Sequence, residues 1–143
     1  MRTLDQILEV KGREVLTARP DATVYDSLAL LAEHEVGALL VVDGGQPVGL
    51  FSERDYARKV ILKGLSSRDV LVRDIMASPV ISVDTMLTVD KALGIMTERR
   101  IRHLPVLDGK GQLTGIVSIG DLVKDIIDEQ RATIDQLQQY IYS

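Results

Sequence analysis

The amino-acid sequence predicts an α/β (α+β) fold. It consists of two β-α-β-β-α repeats related by a pseudo-two-fold axis, with a helix added at the N-terminus and a long helix at the C-terminus. Three observations predict it. The chain matches itself at an offset of 65 residues. Within each copy the apolar residues change period in the same order, helical then strand-like. Beyond the second copy, Val123, Ile127, Gln130, Ile134, Leu137 and Ile141 continue in alternating steps of four and three.

The self-match fixes the architecture first. Val15 falls on Val80, Thr23-Val24 on Thr88-Val89, Leu28 on Leu93, and Leu39, Val41, Asp43 and Gly44 on Leu104, Val106, Asp108 and Gly109. One extra residue, taken as Lys110, moves the register to 66. Gly49, Ser52 and Asp55 then meet Gly115, Ser118 and Asp121. The expected division is 1–62 for the N-terminal helix and first repeat, 63–74 for a polar connection, 75–129 for the second repeat and 130–143 for a helical tail.

Leu4, Ile7 and Leu8 have the spacing of a short N-terminal helix that packs on the body. Each copy then opens with a short apolar stretch, Val15-Leu16 or Val80 to Val83, read as a strand. A helix follows, with Thr23 or Thr88 as its N-cap. Its buried stripe is Val24, Leu28, Leu31 and Ala32 in the first copy, and Val89, Leu93, Met96 and Thr97 in the second. An apolar strand comes next (Ala38 to Val42; Leu104 to Leu107). The turns at Asp43-Gly44-Gly45 and Asp108-Gly109-Lys110-Gly111 signal a hairpin. Its second strand is Val48 to Phe51 or Leu113 to Val117. A last helix starts at Ser52 or Ser118. One copy is too small to be comfortable alone, and two can bury their sheets together. The tail residues follow coiled-coil spacing with one polar interruption at Gln130. They predict self-association, against the alternative of a helix lying on its own domain.

Composition excludes several functions. The chain has 143 residues, 45% apolar and 27% charged, with four Tyr, one Phe and no Trp. Val, Leu, Ile and Met must therefore build the core. The net charge of −4 lacks the positive excess of a nucleic-acid binder. With no cysteine, disulfides, thiolate metal sites and a Cys nucleophile are excluded. No apolar run approaches the roughly 18 residues that span a bilayer, and MRTLDQILEV carries acids early without a signal-peptide core. The expectation is a cytoplasmic protein without membrane, nucleic-acid or metal partners. No residue pattern suggests a catalytic triad, a catalytic metal or a P-loop, so no enzymatic activity is expected.

Two stretches carry the functional reading: Ile101-Arg102-His103-Leu104-Pro105-Val106 with Gly115-Ile116-Val117-Ser118-Ile119-Gly120-Asp121, and Val36-Gly37-Ala38-Leu39-Leu40-Val41 with Gly49-Leu50-Phe51-Ser52-Glu53-Arg54-Asp55. This pattern resembles a tandem pair of CBS domains, a Bateman module, of the stand-alone kind that carries nothing but the pair. The resemblance implies a regulatory module with a ligand in the cleft between repeats: AMP, ADP, ATP, S-adenosylmethionine or an NAD-type dinucleotide (NAD or NADH). AMP or an NAD-type ligand is preferred, because triphosphates need more positive charge than the first copy displays. The resemblance also implies that Asp121 and Ser118 serve one site and Asp55 and Ser52 the other, the Asp on the ribose hydroxyls and the Ser on phosphate. It further implies at least a dimer and a regulated partner protein, whose identity is not readable.

The chemistry agrees. An ionised carboxylate accepts two hydrogen bonds in a fork, which fits a cis-diol. A helix start faces an anion. Leu16 and Ile81, with Val36, Gly37 and Ala38, offer an apolar slot for adenine, and Leu104, Pro105 and Gly120 complete the second copy's set. Arg102 and His103 are phosphate candidates, His103 only when protonated. Gly37-Ala38 stands in their place in the first copy, so the two sites should be unequal. Leu40, where the second copy has Pro105, is a further departure. Arg54 either clamps phosphate or lies on a solvated helix face. Lys11, Arg13, Lys59 and His34 read as solvated surface residues. Ser-x-x-Asp at a helix start is equally a capping box, and a carboxylate turned back to cap has less freedom to hold ribose. The competing reading is therefore a protein-interaction adapter with non-binding clefts.

Overall fold

The computed structural model describes residues 2–142, with the side chain of Tyr142 left out. The elements are α1 (Leu4–Lys11), β1 (Thr17–Ala18), α2 (Val24–His34), β2 (Ala38–Asp43), β3 (Gln46–Ser52), α3 (Glu53–Tyr56), β4 (Val83–Asp84), α4 (Val89–Arg99), β5 (His103–Leu107), β6 (Leu113–Ser118) and α5 (Ile119–Tyr142). α3 runs on into a π-turn at Ala57–Ile61, and a 3₁₀ turn covers Val72–Asp74. The chain forms two compact units, residues 14–81 and residues 1–13 with 82–143.

Each unit holds a three-stranded sheet with the second strand central, β1-β2-β3 and β4-β5-β6. The first pair is parallel and the second antiparallel in both. The apolar runs read as buried strands are buried: Leu39, Leu40, Val41, Leu104 and Val106 have essentially no exposed surface. The first hairpin closes at Gly44 and Gly45, both at positive φ (57° and 80°). That is the type I′ geometry which suits the strand twist. The initial strands lie slightly later than expected, at Thr17–Ala18 and Val83–Asp84. Only two residues pair in each, too few for an alternation signal.

On α2 and α4, Val24, Leu31, Val89 and Met96 are buried as expected. Ala32 and Thr97 are exposed, and Ser27 and Ala92 take the inner place. The buried arc therefore turns toward i+3. Thr23 accepts a capping bond from Asp26 N–H, whereas the Thr88 hydroxyl makes none.

The expected domain division needs correction at its joints. α1 packs not on the first repeat but on β6 and α5 of the second. The stretch 63–74 is no simple connection, since Val72 and Ile75 are buried in the first unit's core. The two placements are the same placement. In one unit Leu4 N–H donates to Leu87 O and Val89 N–H to Arg2 O. In the other, Val72 N–H donates to Ala22 O and Val24 N–H to Val70 O. Leu4, Ile7 and Leu8 thus correspond to Val72, Ile75 and Met76, and each triplet seals the repeat beside it in space.

Candidate functional site

The site is built at the corner where the last strand of each sheet turns into a helix. In the second unit His103 pairs with Ser118 across β5 and β6, and Ile119 N–H donates to Arg102 O (2.9 Å). In the first unit Ala38 pairs with Ser52, and Glu53 N–H donates to Gly37 O (3.0 Å). The sheet register therefore places Arg102, His103, Ser118, Gly120 and Asp121 in one corner. Gly37, Ala38, Ser52, Arg54 and Asp55 share the equivalent one.

Both aspartates are turned onto their own helix start. Asp121 Oδ2 accepts from Ser118 N–H (2.8 Å), and Asp121 N–H donates to Ser118 Oγ (3.1 Å). Asp55 Oδ2 accepts from Ser52 N–H (3.1 Å) and Ser52 Oγ (3.0 Å), and Asp55 N–H donates back to Ser52 Oγ (3.2 Å). The capping box is thus real in both copies, and a ligand must share the carboxylate with it. Each contact made by a carboxylate here uses Oδ2.

The glycine three residues before each Ser also has a packing reason. A Cβ on Gly115 would lie 2.6 Å from Leu8 Cδ2, and one on Gly49 would lie 2.3 Å from Met76 Sδ. Those are the sealing side chains of the previous section. The glycines let the seal lie flat on the strand, so they do not by themselves point to a ligand.

Sequence reading missed a lysine in each corner. Lys11 Nζ, expected to be solvated, donates to Asp121 Oδ2 (2.6 Å) and Ile116 O (2.7 Å). Lys59 Nζ, also expected to be solvated, donates to Ile75 O (2.9 Å) and lies 3.6 Å from Asp55 Oδ1. Arg13 is likewise engaged, with Asp5, Glu9 and Thr114. Spacing signals only the Lys59 pair, which is i,i+4 on one helix. Lys11 and Asp121 are 110 residues apart, and only the docking of α1 joins them.

Burial pushes the Asp121 carboxyl up, but the bonds from Lys11 and Ser118 and the Lys11 charge outweigh it and hold it below the ordinary carboxylate range. It is therefore ionised, the state in which it can accept two hydroxyls. Burial pushes the His103 imidazole down, and the charges of Lys11 and Arg102 push it further, against the opposing pull of Asp121. His103 is thus neutral near pH 7. The cations of this corner are Arg102, which is exposed, and Lys11.

The remaining candidates divide plainly. Leu104 and Pro105 are buried in the sheet. Pro105 has no N–H to offer where Leu40 N–H donates to Leu16 O. Val36, Arg54 and Gly120 are exposed, and Leu16 and Ile81 are half-buried within the unit of residues 14–81. A surface hollow of about 340 Å³ between α1 and α5 borders Asp121, with Arg2, Lys11 and Lys124 but also Asp125 and Asp128 in its lining. Among the described residues no cluster of His, Asp or Glu has metal-binding geometry, and no helix is long and apolar enough to cross a membrane.

Comparison with known proteins gives the following. The CBS domain family model matches residues 7–62 and 72–128. A solved CBS-domain protein from Burkholderia ambifaria MC40-6, of proposed signal-transduction type, is 48% identical at a TM-score of 0.85, over 90% of this chain and 96% of its own. The mitochondrial CBS domain-containing protein CBSX3 of Arabidopsis thaliana is 39% identical over 148 residues, covering 97% of this chain and 71% of its own length. The hexameric CBS-CP12 protein of bloom-forming cyanobacteria is 31% identical at a TM-score of 0.77, over 85% of this chain and 66% of that one.

Proposed function

This chain belongs to the CBS-domain family, as two CBS domains in tandem, and from that premise we propose that it is a cytoplasmic regulatory module, not an enzyme, that binds an adenine nucleotide at the Asp121 corner and acts on a partner protein. The ligand class is AMP or an NAD-type dinucleotide. One observation carries the reading: an ionised, half-buried carboxylate shares one corner with Ser118, Arg102, Lys11 and a neutral His103. The carboxylate suits the neighbouring hydroxyls of a ribose, and the cations suit its phosphate. Arg102 has no counterpart in the first unit, where Gly37 stands, so the Asp55 corner is the weaker one or does not bind.

A second reading has its own support. Both aspartates already serve capping boxes, and both motif glycines are accounted for by packing. Those facts suit an adapter whose corners hold no ligand. A thermal-shift series with AMP, ADP, ATP, NAD, NADH and S-adenosylmethionine separates the two. Ligand at 100 times its dissociation constant adds about 2.7 kcal/mol of stability. A shift with AMP or NAD(H) supports the sensor, and none with any of the six at millimolar concentration leaves the adapter.

A further inference from the structure

We infer that Lys59 is a specificity-determining residue that keeps the Asp55 corner closed to a ribose: it sits on the one carboxylate oxygen that the cap leaves over, an oxygen that Lys11 leaves open at Asp121. The inference rests on the ribose reading of the two corners and gives a reason, separate from Arg102, why only one of them acts on it.

Counting acceptor positions gives the starting point. A carboxylate has two oxygens and about four lone-pair positions between them. In both corners Oδ2 is filled. Asp121 Oδ2 accepts from Ser118 N–H and Lys11 Nζ, and Asp55 Oδ2 accepts from Ser52 N–H and Ser52 Oγ. The two neighbouring hydroxyls of a ribose therefore need both positions on Oδ1. At Asp121 neither donor uses that oxygen. At Asp55 the Lys59 ammonium lies 3.6 Å from it.

The origin of each lysine explains the difference. Lys59 follows Asp55 by four residues where α3 runs on into the π-turn. Helical side chains lean toward the N-terminus, so Lys59 leans back over the carboxylate. A bond to Ile75 O (2.9 Å) holds it there. Lys11 arrives instead from α1, is held on Ile116 O of β6 (2.7 Å), and meets the oxygen that already faces Ser118 N–H. The two pairs carry the same charge and differ in the oxygen they occupy. A hydroxyl approaching Asp55 Oδ1 must displace an ammonium ion, a stronger partner for a carboxylate than a neutral donor, and Ile75 O loses its bond if the lysine swings away. At Asp121 no such exchange is needed. The residue matching Lys59 there is Asp125, which is held by Arg2 at 3.1 Å.

Adenosine is the probe, because it offers the ribose without a phosphate and so takes Arg102 out of the comparison. The Ser52 and Ser118 amides report the two corners separately in an NMR titration of the whole chain. In the unaltered protein adenosine should move the Ser118 amide and leave that of Ser52 in place. In K59Q, which drops the charge and keeps an N–H donor, both should move, with the apparent affinity at Ser52 raised at least tenfold. Adding D55N to K59Q should remove the new response, and 2′-deoxyadenosine, which lacks one of the two hydroxyls, should fail to evoke it. Lys59 is partly exposed, and the Ser118 response in the same sample shows that K59Q is folded. A Ser52 amide that moves as readily in the unaltered protein, that stays still in K59Q while Ser118 responds, or that answers 2′-deoxyadenosine equally would overturn the role of Lys59 and leave the reading of the Asp121 corner standing. Silence at both corners in both proteins would overturn that reading, and the role of Lys59 with it.

Discussion

The two strand-to-helix corners place the same charges from different parts of the chain. In the first, Lys59 comes from the π-turn that extends α3, four residues beyond Asp55, and anchors on Ile75 O. In the second, Lys11 comes from α1 and anchors on Ile116 O. At the position matching Lys59 the second copy has Asp125, which pairs with Arg2 at 3.1 Å. The cation was thus moved, not lost. The comparison teaches that a repeat can keep its electrostatics while changing which residue supplies them. Position-by-position matching of the two copies therefore underestimates how alike their corners are. The real asymmetry lies one strand over, where the second unit has Arg102-His103 and the first has Gly37-Ala38.

If that asymmetry decides binding, Asp121→Asn should weaken nucleotide binding about 10- to 100-fold, the scale of hydrogen bonds to a charged group. Asp55→Asn should change it little. Asparagine keeps an acceptor for the capping bond, so the fold survives in both. Calorimetric titration checks this, and equal losses in the two variants would make the corners equivalent after all.

The sealing contacts offer the next largest difference. Gly115→Ala drives a methyl into Leu8, which is wholly buried, and should cost about 2–3 kcal/mol. Gly49→Ala meets Met76, which is more adaptable and only half-buried, and should cost closer to 1 kcal/mol. Urea denaturation gives both values.

A pH profile separates the corners without touching a ligand. The folded-state pKa of His103 lies below its unfolded value of 6.5. Its neutral form therefore favours the fold above pH 6.5, and that contribution is lost as pH falls through the folded value. His103→Ala, which copies Ala38 of the first unit, should flatten the decline in stability between about pH 7 and pH 5. The depressed Asp121 works lower down, its contribution present above about pH 4 and lost as pH drops through its folded value. An unchanged slope in His103→Ala would mean that burial does not hold the imidazole neutral.

The smallest effect belongs to Lys11. Its pair with Asp121 is partly exposed, so Lys11→Met should cost no more than about 1 kcal/mol. The Asp121 carboxyl should rise toward the ordinary range, visible by NMR titration. No movement would make Lys11 a mere neighbour.

Much of this was legible beforehand. The repeat, the paired strands and the glycine turn carry strong local signals, because burial on a pleated sheet and positive φ restrict the residue choice. Arg102, His103, Ser118 and Asp121 were also recognisable as a set, and the sheet register does bring them together. The misreadings share a physical cause. Lys11 meets Asp121 over a hundred residues away, and each sealing triplet meets a repeat from outside that repeat's own pattern, and no periodicity records such meetings. The correspondence of Leu4, Ile7 and Leu8 with Val72, Ile75 and Met76 was present as a repeat of i, i+3, i+4 spacing. It was hidden because its offset of 68 differs from the 65 and 66 that align the rest.

The way α1 is lodged has a consequence for how the molecule is made. Residues 14–81 hold both their sheet and the triplet that seals it. α1 is made before this unit but belongs to the other, and Leu8 stays uncovered until β6 exists to receive it. Deleting α1 should therefore injure the unit of residues 82–143 and spare that of residues 14–81.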